Sequence, residues 1–332
     1  MAVSRREFVV GAAAAGVWAR GAWAQNACPF RLAVINDEIG PDFEHACHVA
    51  ANEFGLHWIE LRSLWGKTLA DLSGEEVDRA KGILAKYQLR VTDLASPLYK
   101  VDLPGAPRSK ESPKRDEFHA DFTYKEQAEL LQTLIRLCGS FGTDRIRCFD
   151  FWRLEDQKPY RAEINGKLKE AAEACAKHDL ILLLENEMAC NTGSGVEAAE
   201  VLAVIPDRNF MLNWDPGNSV TFAGDVPYPQ DYDALPKRRI GHVHCKNAKR
   251  ATPEERAAGK HPFEWEPVDV GLVDWVGQFK ALRRDGYHHA VSLETHWHGG
   301  EGTTQAEISE SSTRRSMEGL KKCLGEAGIT GC

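Results

Sequence analysis

Four residues able to hold a cation or move a proton each close a short apolar run. Glu185 ends "LILLLE" (180–185), Asp215 ends "FMLNWD" (210–215), His244 ends "RIGHVH" (239–244) and Glu294 lies in "AVSLET" (290–295). Three carboxylates and one imidazole make an oxygen-rich donor set, which suits Mn²⁺, Mg²⁺, Co²⁺ or Fe²⁺ better than a thiolate site would. Taken singly, an acid after an aliphatic strand is also how a solvated loop begins, so "LILLLENEM" (180–188) decides nothing alone. Four such residues at matched positions make a site if the fold brings the ends of those runs to one ring.

The elements that would do so are legible. Four further runs precede these: "RLAVIN" (31–36), "LHWIEL" (56–61), "LRVTDL" (89–94) and "RIRCFD" (145–150). Eight apolar runs alternating with amphipathic helical patterns predict a (β/α)₈ TIM barrel, a single α/β domain over residues 25–332. A doubly wound open sheet is the alternative. It usually carries a glycine-rich phosphate turn after its first strand, where this chain has "INDEIGPDF" (35–43). Ser73 with Glu76, Thr123 with Glu126, and Ser194 with Glu197 each fit a capping box at a helix start. In a barrel the strand ends form the catalytic rim, and the long connections at 96–122 and 246–272 would cover it.

Residues 1–24 stand apart. Arg5-Arg6 precede an Ala-rich apolar stretch, and Ala22-Trp23-Ala24 offers a cleavage site before Gln25. The pattern resembles a twin-arginine export signal, which implies the export machinery as a partner and a periplasmic or secreted protein. A stable membrane anchor is disfavoured, because Arg20 interrupts an apolar run well short of the ~20 residues a span needs. The whole chain carries a net charge of −8. Loss of a leader holding Arg5, Arg6 and Arg20 against Glu7 would make it more acidic, which argues against a nucleic-acid partner. Nine cysteines with no C-x-x-C pair read mostly as small buried hydrophobes, with a crosslink of Cys28 or Cys332 left open.

The motifs "LLLENEMACNTG", "LNWDPGNSV", "GHVHCKN" and "VSLETHWHGG" resemble the xylose isomerase-like TIM-barrel superfamily, the sugar phosphate isomerase/epimerase group, over essentially the whole mature chain. The resemblance implies one divalent metal, Mn²⁺ first with Zn²⁺ as a further choice, held by Glu185, Asp215, His244 and Glu294. It also implies that Glu185 and Glu294 act as acid and base on an enediolate, as in the related ketose 3-epimerases. Where those epimerases place a second histidine, this chain has Asn218, a candidate hydrogen-bonding partner for a sugar hydroxyl.

Neighbouring residues follow from parity. His242 points inward one layer below His244, in a supporting role. Glu187 and His296 could contact substrate or simply be solvated, and Lys246 could bind a substrate oxygen or a rim acid. Glu60 could bind substrate or pair with Arg62. Trp152 and Trp297 are the candidates for stacking on a sugar ring, whereas Trp214 has the opposite parity to Asp215 and should pack under the helices.

Together these imply a metal-dependent isomerase or epimerase acting on an unphosphorylated carbohydrate or polyol. A lyase or dehydratase acting on a keto-sugar, inosose or keto-glycoside could use the same site. An endonuclease IV-like enzyme would need a basic face, and a sugar-binding protein would show no proton exchange. A homo-oligomer is left open.

Overall fold

Each of the eight apolar runs forms a β-strand in the computed structural model, which describes residues 28–110, 112, 121–221 and 226–332. The leader expected at 1–24 and part of the 96–122 connection lie outside the described residues. The strands are β1 (Arg31–Val34), β2 (Trp58–Leu61), β3 (Arg90–Leu98), β4 (Arg145–Cys148), β5 (Ile181–Glu185), β6 (Phe210–Trp214), β7 (Ile240–Cys245) and β8 (Ala290–Leu293). All neighbouring pairs in the sheet are parallel, from β1 through β8 and β7 down to β2. A parallel bridge between Ile35 and Glu60 joins β2 back to β1, which closes the ring expected of a TIM barrel.

Helices cover the outside. They include α1 (Asn36–Ile39), α2 (Phe43–His48), α3 (Gly74–Lys86), α4 (Gln127–Phe141), α5 (Arg161–Ala176), α6 (Gly195–Val204), α7 (Pro216–Val220), α8 (Trp275–Arg284) and α9 (Gln305–Glu326). In α4, Leu130, Leu131, Leu134, Ile135, Cys138 and Phe141 recur at helical spacing and are all buried. Full burial of such a side chain stabilises by ~1.5–3 kcal/mol, so this face fixes the helix on the barrel. The helix ends at Gly142, whose φ of 69° is the left-handed conformation that glycine adopts without penalty.

The strand faces turned to the helices are aliphatic, with Leu182, Leu184, Leu212, Trp214, Val243 and Val291 fully buried in one core. Trp214 packs outward as its parity predicts, and its Nε1 donates to Gln278 Oε1 of α8 at 3.1 Å. The barrel interior is polar instead: Glu60, Asp93, Glu185, Asn213, His242, His244 and Ser292 are all buried. Buried polar groups persist only when they are paired with one another or with a ligand.

The local expectations met three adjustments. The capping boxes at Ser73 and Thr123 are complete. Ser194 caps α6 from one side only, because Glu197 turns to Arg153 and to the Gly193 amide. The third strand runs on to Leu98, with a register break against β4 between Leu94 and Leu98. The 246–272 connection is not plain loop: Asn247–Arg250 and Phe263–Glu266 pair as an antiparallel hairpin over the rim.

Cys28 and Cys332 form a disulfide that ties the two ends of the described chain together. The other seven cysteines are free and buried. Among the described residues, no helix is long and apolar enough to cross a membrane.

Candidate metal and active site

The four candidate ligands converge. Glu185 is the last residue of β5, His244 lies in β7, and Glu294 follows β8 by one residue. Asp215 follows β6 as the N-cap of α7, its Oδ1 accepting from the Asn218 amide at 3.1 Å. One donor atom from each of the four lies within 4.8 Å of the others, and all four residues are buried. His244 Nδ1 is the focus. It lies 3.1 Å from Glu185 Oε1, 3.1 Å from Glu294 Oε2 and 3.7 Å from Asp215 Oδ2.

Three cations surround this group. Arg147 of β4 places Nη1 3.0 Å from Glu185 Oε2. Arg62, just past β2, places Nη1 3.0 Å from Glu294 Oε1 and also pairs with Asp37 and Glu38 of α1. Lys246 is only 1% exposed, and its Nζ bridges Asp215 Oδ2 at 2.8 Å and Glu294 Oε2 at 2.7 Å. The first turn of α7 can lie against that lysine because residue 217 is glycine: a Cβ there would sit 2.5 Å from Lys246 Cγ.

Burial alone would raise the Glu185 carboxyl, but His244 and Arg147 outweigh it and hold it at about 2. The same opposition holds Glu294 well below the usual carboxylate range, with Lys246 and His244 prevailing over burial. Burial would lower His244, yet Glu60, Glu294 and Glu185 keep it well above the ordinary histidine range. Lys246 is likewise held above its usual value against burial, by Asp215 and Glu294.

Glu60 corrects an expectation. It is not among the residues that line the rim cavity, and its two oxygens turn to histidines rather than to Arg62. Its side chain is fully buried beneath His244, with Oε1 3.0 Å from His244 Nε2 and Oε2 3.2 Å from His242 Nε2. The reason is position: Glu60 belongs to the β1–β2 seam inside the barrel, one layer under the rim. His242 takes the supporting place that its parity predicts, with Nδ1 3.3 Å from Asp93 Oδ1.

The remaining candidates divide. His296 approaches the site, its Nε2 3.2 Å from Glu294 Oε1, on backbone of φ 48°. Asn218 hydrogen-bonds the Asn186 carbonyl at 2.8 Å and stands 3.5 Å from Glu185 Oε1. Glu187 lies 4.0 Å from Lys100, and its charge also reaches Lys246. Trp152 is 4% exposed and packs with Phe149 and Cys190, so it has almost no ring face to offer a sugar. That corrects its reading as a stacking platform. Trp297 is half-buried, its ring against the Gly299 backbone.

Sequence reading missed Trp265. The hairpin sets this half-buried ring 5.0 Å from Lys246 Nζ and 5.4 Å from the His296 ring. With Asp37, Glu38, Arg62, His296, His298 and Ser309 it lines a cavity of 370 Å³. Two of those residues, Arg62 and His296, touch Glu294, so the cavity opens beside the ligand group. A separate cleft of 360 Å³ between α5 and α6 contains none of the four ligands.

The donor set fits a divalent cation. Asp215 Oδ2 and Glu185 Oε2 lie within ion-pair range of Lys246 and Arg147, yet neither is aligned with a hydrogen-bond donor. Three buried carboxylates and one imidazole around a common centre match a hard, oxygen-preferring dication.

A family model described as xylose isomerase-like TIM barrel matches residues 49–323. Solved structures share the fold at low identity. D-Psicose 3-epimerase with D-tagatose, from Clostridium cellulolyticum H10, is 14% identical with a TM-score of 0.61, covering 91% of this chain and 100% of that one. A probable 3-DHS dehydratase involved in petrobactin synthesis, from Bacillus anthracis, is 20% identical with a TM-score of 0.62, covering 86% and 97%. A xylose isomerase-like TIM barrel protein from Mycobacterium smegmatis, in complex with magnesium, is 17% identical with a TM-score of 0.60, covering 85% and 89%. No curated protein matches the sequence.

Proposed function

Because the chain belongs to the xylose isomerase-like TIM-barrel family, we propose that it is an enzyme that moves a proton at a carbon beside a carbonyl. Its substrate is an unphosphorylated carbohydrate or polyol, and the outcome is isomerisation or epimerisation. The observation that carries this reading is the convergence of Glu185, Asp215, His244 and Glu294 within 4.8 Å. These four would hold one divalent ion, Mn²⁺ first. When bound, such an ion polarises a carbonyl and stabilises negative charge on oxygen.

The protein's own groups supply the rest. Glu294 is the glutamate on the cavity side, since its Oε1 contacts Arg62 and His296, both of which line the cavity. Glu185 stands across His244, backed by Arg147. Carboxylates reaching one centre from two strands can take a proton at one oxygen and return it from the other side. The Trp265 ring offers an apolar surface to a sugar, and Asp37 and Glu38 offer acceptors for its hydroxyls.

A second reading has its own support. His296 at 3.2 Å and Lys246 at 2.7 Å put two proton donors beside Glu294. Elimination needs that arrangement, a base for C–H and an acid for the leaving oxygen, so a lyase acting on a keto-sugar, inosose or keto-glycoside competes.

Incubation with ketoses, aldoses, inososes and keto-glycosides in D₂O with Mn²⁺ tests both. Deuterium in a sugar of unchanged composition supports isomerisation or epimerisation, and loss of water or an alcohol supports elimination. With saturating metal, Glu185→Gln and Glu294→Gln should still lose roughly 10²–10⁴-fold in turnover. No exchange with any substrate, or full turnover of both variants, would refute the acid/base roles. Export by the twin-arginine route belongs to the same proposal; normal export after changing Arg5 and Arg6 to Lys would refute it.

A further inference from the structure

A metal-binding histidine must present one particular nitrogen as a lone pair, and the acids at the rim, which only accept, would favour a proton on His244 Nδ1 instead. The selection comes from below. His244 Nδ1 faces the three acids, while Nε2 faces Glu60 Oε1 at 3.0 Å. A neutral imidazole has one nitrogen that donates and one that accepts. Once Nε2–H is committed to Glu60, the lone pair is left on Nδ1.

Glu60 is itself held. Its second oxygen lies 3.2 Å from His242 Nε2, and His242 Nδ1 lies 3.3 Å from Asp93 Oδ1. Glu60, His242 and Asp93 are all fully buried. They come from β2, β7 and β3, so the chain of contacts spans the barrel interior and cannot drift with a surface loop. A buried carboxylate persists only with partners at both oxygens, and two imidazoles meet that demand. The Asn213 amide flanks the same His244 nitrogen, its Nδ2 at 3.1 Å. With its amide turned, Oδ1 can share the Nε2 proton.

We infer that Glu60 is a positioning residue for the metal centre: it takes the Nε2 proton of His244 and aims Nδ1 at the point where Glu185, Asp215 and Glu294 converge. This rests on the reading of those four residues as the metal site. Glu60 makes no contact with substrate, and it acts through His244. The carboxylate also makes the imidazole a stronger donor, as outer partners of metal-binding histidines do.

Titration of the full-length protein with Mn²⁺ tests the role without any turnover assay. Glu60→Gln keeps the side-chain size, and Glu60→Ala removes it. Both should bind Mn²⁺ roughly 10–100-fold more weakly than wild type while retaining its circular dichroism. In Zn²⁺-loaded wild type, ¹⁵N-correlated NMR of the imidazoles should show the His244 proton on Nε2. That measurement needs no variant, so a proton on Nδ1 would overturn the inference even if the substitutions fail to fold.

Unchanged affinity in both variants, or a His244 proton on Nδ1, would overturn the inference. So would a second bound Mn²⁺ that disappears in Glu60→Ala, because Glu60 would then be a ligand. If folded wild type binds no metal at all, the reading of the four-residue site falls first. If wild type binds and the variants match it, only the role of Glu60 falls.

Discussion

Replacing Arg147 with Met should expose how strongly the interior depends on paired charge. Arg147 is 5% exposed, and its guanidinium is held by partners inside the barrel. It lies 3.0 Å from Glu185 Oε2 and donates to the Ala95 carbonyl at 3.0 Å and the Ser96 carbonyl at 3.3 Å. Removing one partner of a buried ion pair costs ~3–5 kcal/mol, because the other charge stays buried without it. At ~2–4 °C per kcal/mol for a large domain, the melting temperature should fall by about 10 °C in metal-free buffer. A double-mutant cycle with Glu185→Gln isolates the pair. The double variant should be more stable than the sum of the single losses by well over the ~0.5 kcal/mol scatter of independent sites. Saturating Mn²⁺ should restore more stability to Arg147→Met than it adds to wild type, since a dication at Glu185 replaces the lost positive charge. Additivity within ~0.5 kcal/mol would refute the coupling, and an equal gain from Mn²⁺ in both proteins would refute the placement of the metal beside Glu185.

Two other expectations concern groups below and above the site. Burial and the charge of Glu60 push the Asp93 carboxyl up to about 6 from 3.8, so its contribution to stability is present below the unfolded value and lost as pH rises through about 6. Asp93→Asn should therefore gain on wild type by on the order of 2–3 kcal/mol in urea unfolding between about pH 4 and about pH 7.5; a gap independent of pH contradicts this. Trp265→Ala should raise KM by roughly 3–10-fold with a smaller change in kcat, and should abolish quenching of tryptophan fluorescence by bound sugar. Unchanged KM and quenching would remove Trp265 from the binding surface.

The barrel was legible because its evidence is local. Each strand is a short apolar run, and several helix starts, at Ser73, Ser194, Asp274 and Thr304, carry their own cap. Glu185, Asp215, His244 and Glu294 could be placed at one rim without knowing any contact, since strand ends in a closed barrel must meet. What stayed hidden depends on register and on distant partners. Arg147 sits in "RIRC" beside an equally plain Arg145, and only the β4–β5 pairing shows that it reaches Glu185. Adjacency along the chain offers Glu60 only Arg62 or a substrate, whereas the barrel matches it to His242 and His244, across the interior. Trp265 lay in a polar stretch read as a connection, because the partner strands of its hairpin are separated by a short helix and turns. Trp152 looked like a rim aromatic, but the connection after β5 folds Cys190 against it and buries the ring.

Calorimetric titration of the folded full-length protein with Mn²⁺ tests the central claim most directly, with Asp215→Asn and His244→Gln alongside. Asn at 215 retains an oxygen to cap α7, so loss of binding there is not loss of the helix start. Wild type should bind one equivalent, and neither variant should bind at concentrations that saturate it. Stoichiometric binding by both variants, or none by folded wild type, would contradict the account.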